Sequence, residues 1–201
     1  MSYWLAGGGK VRVGVLAAQG AFAEHIAALK RLGVDAIPVR VPEELDGIKG
    51  LIIPGGESTT ISKLMLAYKL SDKIIKLAGK GIPIWGTCAG MILISNEISD
   101  ANGVKPLGLM DITVRRNAFG RQKESFEAEL KIPVLGKKPF PGVFIRAPLI
   151  EKVKSGEVLA KLGDRTIVAA RQGQFLVTAF HPELTDDMRF HQYFLDIIKG
   201  K

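Results

Sequence analysis

The chain has 201 residues, of which 47% are hydrophobic and 24% charged, the balance of a soluble globular protein; this excludes a disordered tail, and 23 glycines without a period of three exclude a collagen-like rod. Its 28 Lys+Arg against 20 Asp+Glu give a net charge of +8, suited to an anionic small molecule, a nucleic acid or an acidic partner. The basic clusters at Arg115–Arg116 and Lys137–Lys138 lack the interleaved aromatics of a base-stacking surface, so no nucleic-acid partner is expected.

A single cysteine, Cys88, cannot staple a secreted fold. No run reaches the roughly 18 apolar residues of a membrane span. Both features point to a cytoplasmic protein without a membrane partner. Three histidines and one cysteine are too few and too scattered for a structural zinc site. Residues 1–10 carry Trp4 and Gly7-Gly8-Gly9 ahead of any strand pattern and read as a flexible leader, with one domain over 11–201.

From there strand and helix alternate. Val11–Ala17 is a β-branched run, and Ala21–Leu32 has helical spacing up to Gly33. Val34–Val41 and Leu51–Pro54 read as strands, Thr60–Tyr68 and Ser71–Ala78 as helices, Ile82–Gly86 as a buried strand and Met91–Ser95 as a helix. Continuous apolar strands separated by helices predict a parallel sheet covered on both faces. The pattern changes near residue 110. Asp111–Arg116, Phe126–Ile132 and Gly142–Arg146 read as strands with turns at Gly120 and at Gly136 or Gly142. Glu157–Leu162, Thr166–Arg171 and Gln174–Phe180 form a meander turning at Gly163-Asp164 and Gln172-Gly173. Asp186 or Asp187 caps a last helix reaching Lys199. The expected fold class is a three-layer, flavodoxin-like α/β domain: a mostly parallel sheet flanked by helices, with antiparallel strands in the second half.

The segment Ile82-Pro-Ile-Trp-Gly-Thr-Cys88-Ala-Gly-Met91 carries the strongest chemical signal. A buried strand enters a Gly-x-Cys-x-Gly turn and then a helix, which exposes Cys88 at the carboxyl end of the sheet with a helix N-terminus favouring its thiolate. A lone cysteine is more often a buried structural residue; the flanking glycines and the strand–turn–helix setting favour a nucleophile. A nucleophile needs a base, and only His25, His181 and His191 are available. His25 and His191 fall within helices and are expected on their surfaces. His181 follows a strand directly, and Glu183 two residues on can orient its imidazole. Pro54-Gly-Gly-Glu-Ser-Thr-Thr60 also joins a buried strand to a helix. Its glycine amides, here Gly56, together with the amide of Ala89, would supply two oxyanion donors. A phosphate-binding loop is the rival reading, but no Lys follows the glycines.

These motifs resemble the class I glutamine amidotransferases, whose glutaminase domains use a Cys-His-Glu triad. Leu16-Ala-Ala-Gln-Gly20, Pro54-Gly-Gly-Glu-Ser-Thr-Thr60, Arg116-Asn-Ala-Phe-Gly-Arg-Gln122, Ser125-Phe-Glu127, Phe144-Ile-Arg-Ala-Pro148 and Phe180-His-Pro-Glu-Leu-Thr185 are more narrowly similar to the glutaminase subunits of pyridoxal 5′-phosphate synthase. Ala17-Ala18 and Arg115 depart from the pattern expected of that subfamily. The resemblance implies Cys88, His181 and Glu183 as the triad, and Gly56, Glu57, Ser58, Arg116, Ile145 and Arg146 as the glutamine site. An arginine suits the substrate α-carboxylate and Glu57 the α-ammonium. It also implies hydrolysis of L-glutamine and delivery of ammonia to a (β/α)8 synthase subunit in a large hetero-oligomer, with no cofactor or metal on this chain. The alternatives are a glutaminase serving another acceptor, a related cysteine hydrolase, and a catalytically silent flavodoxin-like binding subunit.

Overall fold

The computed structural model describes residues 10–100, 103–116, 125–163 and 165–200. The leader reading for residues 1–9, the Asn117–Gln122 part of the arginine motif, the turn at Gly120 and Asp164 of the Gly163-Asp164 turn lie outside them.

In chain order the elements are β1 (Arg12–Leu16), α1 (Phe22–Arg31), β2 (Asp35–Val39), β3 (Gly50–Ile53), α2 (Ser58–Ala67), α3 (Leu70–Gly79), β4 (Ile84–Thr87) and α4 (Ala89–Ile94). There follow β5 (Ser95–Ile98), β6 (Met110–Arg115), β7 (Ser125–Leu130), β8 (Phe140–Ile145), β9 (Leu149–Val153), β10 (Glu157–Leu162), β11 (Thr166–Gln172), β12 (Phe175–Thr178) and α5 (Arg189–Ile198). A 10-stranded sheet runs β2-β1-β3-β4-β12-β11-β9-β6-β5, with β10 paired to β11, and β7 and β8 form a separate two-stranded ribbon.

The half from β2 to β12 is parallel, and the strands beyond it join antiparallel except for the parallel edge pair β5 and β6. Every residue of β3 and β4 is buried, as two-sided cover requires. The period of two is visible in β4. Trp85 packs on one face against Phe190, Phe194 and His191 of α5 and against His25 of α1. Gly86 faces the opposite layer, where α4 lies. Helix α2 packs against α4 and α3 and completes that layer. The ribbon is tied to the core by Phe140 and Phe144 against Phe180 and Phe190. No helix among the described residues is long and apolar enough to cross a membrane.

Fold class and most elements follow the sequence pattern, with three corrections. The helix after Cys88 ends at Ile94, and Ser95 opens a strand. This strand is short and polar (Ser-Asn-Glu-Ile) and owes its form to pairing with β6. Strand β9 was not anticipated from its mixed Leu-Ile-Glu-Lys-Val sequence; pairing with β6 and one ladder pair with β11, Ile150 with Ile167, define it. His25 and His191 are not surface residues: both are fully buried between α1, α5 and β4.

Candidate active site

Parallel pairing aligns Thr87 of β4 with Thr178 of β12, so the two chains leave the sheet side by side at their carboxyl ends. Cys88 is one residue beyond the first and His181 three beyond the second. Cys88 has φ 48° and ψ −106°, a conformation sparsely used by residues with a side chain. It is held there by its amide on the Thr178 carbonyl at 2.8 Å and by its own carbonyl, which accepts from the Met91 amide at 3.1 Å. The turn is tight because α4 lies almost on the sheet. A Cβ on Gly90 would come within 1.8 Å of the Ile53 carbonyl oxygen, so only glycine fits. The sulfur is therefore less open than the motif suggests: Cys88 is only 7% exposed and forms part of a cavity wall.

His181 is fixed by its backbone amide on the Val143 carbonyl at 2.8 Å, which ties it to the β7–β8 ribbon. Its Nδ1 lies 2.7 Å from Glu183 Oε1, and Cys88 is the other side chain that acts on the ring. Glu183 sits in a 3-10 turn, Pro182–Leu184, with its side chain fully buried. Burial by itself would push the His181 pKa down, but hydrogen bonds and charge from Cys88 and Glu183 outweigh it and raise the imidazole to about 10. Burial would likewise raise Glu183, yet the neighbouring His25 and His181 hold it well below the usual carboxylate range. The geometry thus favours an imidazolium at His181 held against the Glu183 carboxylate.

The Cys88 Sγ also points at the Ile145 carbonyl, 3.8 Å away. Around the thiol lies a cavity of about 250 Å³, lined by Gly56, Glu57, Ser58, Ala89, Arg116, Ile145, Arg146 and His181. All nine residues expected to act or bind, and Ala89 with them, therefore meet at one place. The contacts of Gly55, Glu57, Arg116 and Arg146 add detail to that arrangement. Among the two turn glycines, the Gly55 amide donates to Thr87 Oγ1 at 3.1 Å and faces inward. Gly55 also abuts the dyad, since a Cβ there would lie 2.4 Å from His181 Cε1 and 3.2 Å from Cys88 Cβ. Glu57 lines the cavity, but its carboxylate caps α2, accepting from the Thr59 amide at 3.0 Å and from the Thr60 amide and hydroxyl at 2.6 Å. The Thr60 hydroxyl is the main reason its pKa falls to about 2. Arg116 Nη2 lies 3.8 Å from Glu57 Oε1 and 3.5 Å from Thr59 Oγ1. Arg146, with φ 42°, stands at the end of the ribbon on the cavity wall.

Sequence reasoning missed two contributors. Gln19 lines the cavity and accepts from the Glu57 amide at 2.8 Å through Oε1. Its signal was available, because Gln19-Gly20 follows the end of β1 as Gly55-Gly56 follows β3. The second, His25, had no such signal: it sits in mid-helix and reaches Glu183 from behind.

A model of the SNO glutamine amidotransferase family matches residues 15–199. The chain is 59% identical over 191 residues to "Pyridoxal 5'-phosphate synthase subunit PdxT" of Dehalococcoides mccartyi, covering 94% of this chain and 98% of that one. It is 60% identical over 188 residues to the protein of the same name from Herpetosiphon aurantiacus, covering 92% and 99%. A solved structure described as a glutamine amidotransferase superposes with a TM-score of 0.88 at 51% identity, covering 93% of this chain and 98% of that one. With geometry, family match and fold in agreement, this chain belongs to the SNO glutamine amidotransferase family.

Proposed function

We propose that the chain hydrolyses L-glutamine with Cys88 as nucleophile, His181 as general acid and base, and Glu183 as the carboxylate that orients His181. The observation that carries this reading is the junction of Cys88, His181 and Glu183 at the ends of two adjacent parallel strands, beside a cavity. The Cys88 thiolate attacks the side-chain amide carbon of glutamine, and the resulting oxyanion takes the Ala89 amide and the Gly56 amide as donors. Ala89 opens α4, so its N–H lies in the helix turn that has no intrahelical acceptor. His181 gives its proton to the departing nitrogen, ammonia leaves, and a γ-glutamyl thioester remains. His181 then takes a proton from water as it attacks the thioester; glutamate departs and the thiolate returns. Arg116 and Arg146 on the cavity wall suit the α-carboxylate. Glu57, already capping α2, contributes its remaining lone pairs to the α-ammonium and a backbone position to the turn.

The relatives are named as subunits of pyridoxal 5′-phosphate synthase. The ammonia of this chain accordingly passes to a synthase subunit, a (β/α)8 barrel in a large hetero-oligomer, in a reducing cytoplasm. The glutaminase unit is one domain over residues 11–201. Docking raises activity through kcat, by completing the oxyanion site at the Gly55–Gly56 peptide, whose N–H is the Gly56 donor. The test is glutamate release from glutamine, with and without the synthase subunit, for the wild type and Cys88→Ala. Release that rises with the synthase and falls at least about 10⁴-fold in the variant is expected. Release indifferent to the synthase would reassign the acceptor, and release surviving in Cys88→Ala would remove the nucleophile.

A further inference from the structure

Behind the site lies a buried polar chain that the hydrolysis itself does not use. Glu183 gives Oε1 to His181, while Oε2 points the other way, into the layer formed by α1 and α5. The group that meets it there is His25, whose Nε2 lies 3.2 Å from Oε2 and 3.3 Å from Thr87 Oγ1. The contact with Oε2 is close but not aligned as a hydrogen bond, and among the described residues Oε2 has no hydrogen-bond partner. On its far side His25 Nδ1 lies 3.0 Å from His191 Nε2. Trp85 stands edge-on to both rings, with centroids 5.5 Å and 5.1 Å away, and closes the layer.

The proton positions follow from what is missing. Burial holds His191 far below the ordinary imidazole range, at about 3, so its ring is neutral. Its Nδ1 is buried and has no hydrogen-bond partner among the described residues. A bare lone pair there is cheaper than an unpaired N–H, so the His191 proton sits on Nε2 and is donated to His25 Nδ1. His25 then carries its own proton on Nε2, turned toward Glu183 Oε2 and Thr87 Oγ1. Thr87 Oγ1 also accepts the Gly55 amide, so one imidazole touches both the carboxylate behind His181 and the anchor of the glycine turn.

We propose that His25 is a positioning residue for the proposed triad, holding Glu183 Oε2 from behind so that Oε1 stays on His181. The inference rests on the glutaminase reading of Cys88, His181 and Glu183. Without the His25 N–H, a buried carboxylate oxygen would lose the polar group that stands 3.2 Å from it. The carboxylate would then rotate or take up a proton, and either change weakens its grip on His181.

The experiment compares wild type with His25→Leu, His25→Gln and His25→Asn in complex with the synthase subunit. It measures kcat and KM for glutamate release, the pH profile of Cys88 alkylation by iodoacetamide, and thermal unfolding. His25→Leu is expected to lower kcat about tenfold or more, as loss of an orienting partner does elsewhere, with KM unchanged within about twofold. The alkylation profile should shift with it. Gln, whose amide reaches the Nε2 position, should recover activity; Asn, reaching only the Nδ1 position, should not. A folded His25→Leu with wild-type kcat overturns the proposal, as does a fall in kcat with an unmoved alkylation profile, which a loosened core would give. If the leucine variant does not fold, the order of Gln over Asn decides, and equal or reversed activities overturn it. If the wild-type complex releases no glutamate, the glutaminase reading has failed separately, and the alkylation profiles of the same variants still decide the role of His25.

Discussion

The two halves of the sheet deliver the site by different physical means. The strands from β2 to β4 position Cys88 through backbone geometry: a strained φ, a helix laid on the sheet at Gly90, and glycines where any Cβ would collide. The half beyond β4 positions His181 and Glu183 through pairing and hydrogen bonds: the Thr87–Thr178 register, the amide of His181 on Val143, and the ribbon that brings Ile145 and Arg146 over the thiol. The first kind of device admits almost no substitution, because two atoms cannot share one volume. The second fails by degrees, since each hydrogen bond is one of several.

Short of removing a triad residue, the largest effect on kcat should therefore come where the halves touch. Gly55→Ala places a Cβ 2.4 Å from His181 Cε1 and 3.2 Å from Cys88 Cβ, so the dyad must separate. About a 100-fold fall in kcat is expected, the usual consequence of displacing reacting groups by about 1 Å. Steady-state kinetics in the synthase complex would measure it, and activity within threefold of wild type would show that the turn yields more easily than its packing implies.

An intermediate effect belongs to Arg116, a side chain only 14% exposed on the antiparallel side of the cavity. Removing a charged hydrogen bond to a substrate carboxylate costs about 1.5–3 kcal/mol. Arg116→Ala should thus raise KM roughly 10- to 150-fold, with kcat little changed. A fall in kcat at constant KM would instead place Arg116 nearer the reacting amide.

The smallest effect is on stability. Glu57 caps α2, and Glu57→Ala should cost about 1 kcal/mol at neutral pH by chemical denaturation. Its pKa in the folded protein is depressed to about 2, so this contribution is present above the ordinary carboxylate range and is lost as pH falls toward that value. The stability gap between wild type and variant should narrow on acidification. A gap that held constant to low pH would mean the cap acts without its charge.

The same contrast explains what could be read in advance. The strands β1, β3 and β4 are continuous apolar runs ending at glycine turns, and their chemistry-bearing residues follow those ends immediately; local sequence carries all of that. His181 was legible because it too follows a strand end. Strand β9 and the short β5 were not, because mixed polar segments become strands only when a neighbour supplies the ladder. His25 was misread for a related reason. Its place on an amphipathic helix fits either face, and only the packing of α1 against α5 and β4 buries it.

By itself, then, the sequence determined the alternation of buried strand and helix, the glycine-flanked cysteine and the histidine–carboxylate pair, because each is set by hydrophobic period, turn chemistry or spacing within a few residues. Tertiary structure alone decided three matters that join distant segments. Strand order set β12 beside β4 and so Cys88 beside His181 across 93 residues of chain between the Trp85 and Thr178 side chains that also bond there. The Gly55 amide turned to Thr87, and α1 put a histidine against the back of Glu183. Contacts of that kind depend on which surfaces are buried together, and no local pattern encodes them.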